Sequence, residues 1–331
     1  MKDFKTVITA SLISALILFS SISISCSGST HAYTPSGLLS LLAFSSDRDQ
    51  TVHVYTIKPD GTDNMSTSDD PQTLEGLPMW TPDGSKILFT TNESDDNEIW
   101  SMSADGSGRK QLSNRKEWDG LARMSPDGSK IVFAGEHTDP NGHKSINIYV
   151  MNSDGSDIKQ LTASHEEESG AVESGNSHDE NMPWNSVPTW SPDSSKILFA
   201  TNREGDGVVP ILYTMNPDGS DQKRFGFIFS IEGTEPDWSP VTNKIVFVKG
   251  SQAKGDIWVM DAGSLFPGLT AKKLTDNVDN NHSPVWSPDG TQIAFVSDQY
   301  GYDNIFIMNA DGTNVRRVTY EKSNDRHPTW R

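Results

Sequence analysis

The sequence predicts an all-β protein: a six-bladed β-propeller of four-stranded antiparallel blades, closed by N- and C-terminal strands that share one blade. Three observations carry this. Short runs rich in Ile, Val, Phe and Trp alternate with Pro-Asp-Gly and Asp-Gly breaks over most of the 331 residues, the pattern of strands joined by tight turns. The pattern recurs with a period in the forties, and four strands at that period make one propeller blade. The chain begins partway through one unit and ends on the first strand of another, so its two ends complete each other and leave no open sheet edge.

The fullest copy, residues 284–319, reads PVWSPDGTQIAFVSDQYGYDNIFIMNADGTNVRRVT. It parses as a strand at 285–287, a turn at Pro288-Asp289-Gly290, strands at 292–297 and 304–308, a second turn at Asp311-Gly312, and a strand at 315–319. Gly290 and Gly312 supply the positive φ that tight hairpins need. Further copies occupy 78–113, 122–162, 188–225 and 236–275. Residues 39–67 lack a first strand, and 328–331 supply one, giving a sixth unit. The anchor residues Trp80, Met124, Trp190, Trp238, Trp286 and Trp330 are spaced by 44, 66, 48, 48 and 44 residues, and the long gap holds an acidic insertion at 163–187. An aromatic recurring at one position in five of six units points to blade-to-blade packing rather than to a ligand platform. The turn aspartates, such as Asp83, Asp127 and Asp289, are expected to accept hydrogen bonds within their own turns.

Composition agrees with this fold. Hydrophobic content is 34%, with 26 Gly, 18 Pro and nine Trp, which suits many short strands and turns better than helices. A net charge of −18 repels phosphate backbones and argues against nucleic-acid binding. The single cysteine, Cys26, permits neither an internal disulfide nor a cysteine metal cluster.

The N-terminus reads as an address. Lys2 and Lys5 precede an apolar run over 7–24 that leads to Ser25-Cys26-Ser27, the arrangement of a secretory signal. Residues 1–25 are read as the signal, 26–37 as a linker and 38–331 as the propeller. The small residue before the lone cysteine resembles a bacterial lipobox. That resemblance makes Cys26 a lipidation site and tethers the chain to a membrane. Simple cleavage after Ala32, or an uncleaved anchor, are the other readings.

The repeated text, P-x-W-S-P-D-G-x-x-I-x-F followed by I-Y-x-M-N-x-D-G and L-T, resembles the WD40-like PD40 repeats of the TolB propeller family over residues 39–331. The resemblance implies an exported protein of the bacterial cell envelope that binds partners in the periplasm or at the cell surface. Members carry an α/β domain before the propeller, whereas only a short linker precedes the first blade in this sequence.

Blade topology places the uniform Pro-Asp-Gly and Asp-Gly turns on one face and the variable loops and links on the other, the face where propellers bind. Residues just before the first strands are expected to ring the channel: Glu75, Asp119, Asn185, Glu235, Asn281, His282, Asp325, Arg326 and His327. The binding set drawn from these is Asp119, Glu235, Asn281, His282, Asp325, Arg326 and His327, joined by Trp184 at the end of the insertion. His282, His327 and Glu235 offer two imidazoles and a carboxylate to a divalent metal. The alternative reading is hydrogen bonding to link backbones, with no cofactor.

Two functions follow. One is a non-catalytic, monomeric binding or scaffold propeller, lipid-anchored, holding an envelope protein, a peptide or a small ligand at its channel face. The other is a metal-assisted lyase of the oligogalacturonate type, implied by resemblance to propeller lyases of this repeat class. Binding is the favoured reading because no nucleophile–base constellation is visible, and no G-x-S-x-G elbow of a peptidase appears.

Overall fold

The computed structural model describes residues 40–331 apart from 69, 71, 95, 164–183, 204–209, 227–230, 252–253 and 277–278. Six four-stranded antiparallel sheets form in chain order. Taken from the innermost strand outward, blade 1 is Glu75–Trp80, Ile87–Ser94, Asp96–Met102 and Lys110–Gln111. Blade 2 is Asp119–Met124, Lys130–Thr138, Lys144–Asn152 and Lys159–Gln160. Blade 3 is Asn185–Trp190, Ile197–Thr201, Ile211–Met215 and Lys223–Arg224. Blade 4 is Thr234–Trp238, Lys244–Ser251, Lys254–Asp261 and Lys272–Lys273. Blade 5 is Asn281–Trp286, Gln292–Ser297, Asn304–Asn309 and Arg316–Arg317.

Blade 6 joins the C-terminal strand Asp325–Trp330 to Leu42–Ser46, His53–Ile57 and Met65–Ser66. Leu42 pairs with Trp330 and Ser46 with Asp325. Beyond the ladder, the Arg331 N–H donates to the Leu41 carbonyl at 2.8 Å and Trp330 Nε1 to Ser40 Oγ at 2.7 Å. Neighbouring innermost strands contact one another all the way round, so the ring is closed.

The core lies between the blades. Six buried clusters each draw residues from two adjacent blades, and together they cover every seam of the ring. One phenylalanine per blade, Phe44, Phe89, Phe133, Phe199, Phe247 and Phe295, sits fully buried at the same place in the second strand. Trp80, Trp190, Trp286 and Trp330 are buried too, and Trp238 is partly buried against the seam of blades 3 and 4. The tryptophans are packing residues, as their recurrence implied.

The turns also form as expected. Asp289 Oδ1 accepts from Ser287 Oγ at 2.6 Å, the Thr291 N–H at 3.0 Å and Thr291 Oγ1 at 2.8 Å. The same bonds in blade 2 hold the Asp127 carboxyl below its usual range, led by the Ser125 hydroxyl. Gly290 and Gly312 have φ of 66° and 90°. The enlarged last turn of blade 4 holds a short 3-10 turn, Pro267–Thr270.

One boundary differs in a way that matters for function. The innermost strand of blade 5 begins at Asn281 rather than Val285, and each of the other innermost strands likewise begins ahead of the Trp, Met or Pro anchor. The proline at its centre and a bulge interrupt the period-2 pattern, so sequence periodicity stops short of the true strand start.

Candidate functional site: the channel wall

Counting from Gly233 in blade 4 and from the first strand residue in the other blades, every innermost strand carries one residue more than its partner between its second and fifth positions. The extra residue is absorbed at the third position, where Leu77, Leu121, Val187, Glu235, Ser283 and His327 all adopt φ between 49° and 55°. None is glycine, and five of the six precede proline. Such left-handed residues each cost on the order of 1–3 kcal/mol and persist only where the surroundings enforce them. Here the closed ring enforces them.

These six residues are partly exposed along the inner wall, and they divide by chemistry. Blades 1 to 3 contribute Leu77, Leu121 and Val187. Blades 4 to 6 contribute Glu235, Ser283 and His327. The polar half is tied together: the Ser283 N–H donates to Glu235 Oε2, and His282 Nδ1 lies 3.0 Å from Ser283 Oγ. His282 Nε2 lies 3.7 Å from Asp303 Oδ1, and Arg326 Nε donates to Asp303 Oδ2. These partners, the His282 hydrogen bond first, hold the Asp303 carboxyl at about 2. Burial, with His282, Arg326 and Arg123 as positive neighbours, pushes His327 down to about 4, so its ring is neutral at pH 7. His327 Nδ1 is buried without a hydrogen-bond partner.

Fifth-position residues complete the wall. Arg123 in blade 2 and Asp237 in blade 4 influence one another, and Arg123 also acts on His327 in blade 6. Those three blades are not neighbours, so this influence runs across the channel. Burial drives Asp237 up to about 6 against the pull of Arg123. Asp237 Oδ2 accepts from the Trp286 N–H at 2.8 Å, tying blade 4 to blade 5.

The expected binding residues therefore separate. Glu235, His282, Arg326 and His327 come together on the polar half of the channel. Asp119, Asn281 and Asp325 do not face the channel: each has no exposed surface, and so belongs to the blade interior. Two positions before the bulge, strand alternation turns these side chains into the blade. There an arginine stacked on an aromatic ring meets them or their equivalents. Arg48 lies 3.0 Å from Asp325 and over Tyr55. Arg109 lies 2.9 Å from Glu75 and over Phe89. Arg115 lies 2.6 Å from Asp119 and over Tyr149. Arg203 Nη2 donates to Asn185 Oδ1 at 2.6 Å, with Tyr213 beneath it. Burial raises the Asp119 carboxyl, Arg115 opposes this, and Glu98 adds to it.

Trp184 packs against the seam of blades 3 and 4, and its N–H donates to Asn202 Oδ1 at 2.8 Å. The insertion's His165, Glu166 and neighbours lie outside the described residues, as does Cys26. Among the described residues no group of three His, Cys, Asp or Glu side chains is arranged to hold a metal: His282 faces Asp303 while Glu235 is engaged by the Ser283 N–H. Arg123, Asp237 and Asp303 were not in the expected set. The only signal for the first two was an Arg and an Asp where other blades carry Met, Thr or Val. A polar cleft of about 280 Å³ at the seam of blades 6 and 1 is separate from the channel, and its Arg109 is paired with Glu75 and Glu93.

The chain matches the family model described as "TolB beta propeller domain" over residues 19–178 and 228–331. Among solved structures, TolB from Acinetobacter baumannii is similar at 21% identity and a TM-score of 0.66, with 88% of this chain matched to 66% of that one. A protein described as TolB from Agrobacterium tumefaciens matches at 20% identity and a TM-score of 0.55, covering 85% of this chain and 88% of that one. Hydrazine synthase from Kuenenia stuttgartiensis matches at 17% identity and a TM-score of 0.69, covering 88% of this chain and 46% of that one. These likenesses establish the fold, which serves unrelated activities. No curated protein matches the chain.

Proposed function

Because the chain belongs to the TolB beta propeller domain family, we propose that it is an exported, non-catalytic binding propeller of the bacterial cell envelope that holds a protein or peptide partner at its channel mouth. The observation that carries this reading is the divided channel wall. Leu77, Leu121 and Val187 offer apolar contact, while Glu235, Ser283, His327 and Arg326 offer directed polar contact. Peptide segments need both, because main-chain groups must be hydrogen-bonded while side chains are desolvated.

Binding is favoured over turnover by the state of the polar groups. Asp303 is locked by His282 and Arg326, Glu235 is engaged by a backbone N–H, and His327 is held neutral. Each is fixed in one arrangement, which suits recognition. Lipidation at Cys26, a periplasmic or cell-surface location and a monomeric state complete the proposal.

The test is capture from solubilised envelope by wild type and by a Glu235→Ala/His327→Ala variant, with thermal melting as the folding control. Capture of the same partner should fall at least about tenfold in the variant, the effect of losing roughly 1.4 kcal/mol. Equal capture by both proteins overturns the reading. Mass spectrometry of the mature N-terminus tests Cys26: an acylated cysteine supports the anchor, and an unmodified or absent one removes it.

A further inference from the structure

Six tyrosines lie among the described residues, and they fall into two groups. Tyr55, Tyr149 and Tyr213 are buried beneath Arg48, Arg115 and Arg203. Tyr300, Tyr302 and Tyr320 are exposed at 59%, 41% and 69%, and all three belong to blade 5 or the link leaving it. Tyr300 and Tyr302 occupy the loop between the second and third strands, on the variable face.

Two of the exposed rings, Tyr300 and Tyr320, are held in place. Tyr300 stacks on buried Phe306 at 6.3 Å with planes 9° apart. The Arg317 guanidinium lies 4.5 Å from the Tyr300 ring centre and 4.9 Å from that of Tyr320. Arg317 Nε donates to the Thr319 carbonyl at 2.6 Å, and Tyr320 Oη donates to the Arg317 carbonyl at 3.1 Å. The Gly301 N–H donates to the Asp298 carbonyl at 2.8 Å, closing the loop turn. The link is pinned where it enters blade 6, by Asn324 Nδ2 donating to Asp47 Oδ2 at 2.8 Å. Rings fixed before binding lose little entropy when a ligand arrives.

Next to Tyr302 stands Asp303, whose carboxylate is oriented by His282 and by the half-exposed Arg326. Exposed tyrosines on the loop that leads into a fixed carboxylate–guanidinium pair match one chemistry well. The C–H face of a sugar ring lies on an aromatic ring, and an adjacent hydroxyl accepts from the half-exposed Arg326 guanidinium that Asp303 orients. A polyanionic sugar is disfavoured by the net charge of −18.

We infer that the Tyr300–Tyr302–Tyr320 surface, with Asp303 and Arg326, is a binding site for a neutral glycan. This goes beyond the channel-mouth reading: the two share Arg326, but the tyrosines themselves lie on the blade 5 loop and the link that leaves it. An aliphatic protein surface is a poorer fit, because every exposed ring of the platform carries a hydroxyl and its neighbours are charged.

The experiment is calorimetric titration of the full chain with cellohexaose, maltohexaose and mannohexaose, and with hexagalacturonate as the charged probe. At least one neutral hexasaccharide should bind, and hexagalacturonate should bind more weakly. Tyr302→Ala and Tyr320→Ala should each weaken the neutral sugar about tenfold, in keeping with loss of one aromatic contact and its area. Tyr320→Phe keeps the ring and should retain most of the affinity. Leu269→Ser, in the enlarged turn of blade 4, should leave it unchanged. The proposal fails if no neutral hexasaccharide binds, if both alanine variants bind as wild type does, or if hexagalacturonate binds equally well. Loss of envelope-protein capture in the tyrosine variants without sugar binding would make the patch a protein-docking surface and overturn the proposal. The Glu235→Ala/His327→Ala variant keeps all three tyrosines, so its loss of partner capture with intact sugar binding separates the two ideas.

Discussion

Asp303 shows how one side chain organises the channel mouth. It receives His282 from its own blade and Arg326 from the next, and its carboxyl is held at about 2. A carboxyl whose folded-state value lies below its unfolded value of about 3.9 contributes stability that is fully present above that value. The contribution is lost as pH falls from about 4 towards 2. Asp303→Asn should therefore lower stability at pH 6 and flatten its decline across that acid window, as measured by urea denaturation at several pH values. An unchanged acid limb would mean that Asp303 gains nothing from its partners. The buried first-position groups tell a different story about legibility. Asp119 and Asp325 were visible as acids before a strand, and their burial was not. Their arginine partners come from unrelated places: Arg48 from a loop inside blade 6, Arg109 from the start of a fourth strand, Arg115 from a link. A repeat count finds residues that recur at one position, and these recur only in space.

The innermost strand is the element that makes the site. Its bulge gives each blade one left-handed residue on the channel wall. Val187 is the least suited of the six, since a β-branched side chain crowds the backbone at φ 51°. Val187→Gly should relieve this and raise stability by about 1 kcal/mol, the lower end of the cost of such strain. Thermal unfolding reads the change directly, and a fall of similar size would show that contacts of the valine side chain outweigh the strain. The second strand, by contrast, was fully legible. Its I-x-F text, L-A-F in blade 6, ends on a buried phenylalanine in each blade. Regular alternation survives there because no bulge or proline interrupts it. In the innermost strand both do, and the strand start was misplaced by the same residues that build the site.

At the scale of the whole molecule, the ring and its closure were readable from the split sixth unit. The consequence is cooperative. Deleting 325–331 removes the innermost strand of blade 6, strips two seams of their inner wall and exposes the edge of Leu42–Ser46. Such a truncation should lose its cooperative melt and become sensitive to protease throughout, and a sharp transition near that of the full chain would show that the ring does not depend on closure. The choice of ligand was not readable, because the wall is assembled from six separate stretches whose side chains meet only after the ring forms.

The frame repeats six times, so by itself it would offer a threaded segment six equivalent orientations about the channel axis. The third-position residues remove that freedom. A run of Leu, Leu, Val followed by Glu, Ser, His around one circle gives the pore a single azimuth. On the proposed reading, a bound chain would have one rotation in which its polar edge meets blades 4 to 6 and its greasy edge meets blades 1 to 3. Under that reading the propeller would sense which way a partner is turned as well as what it contains.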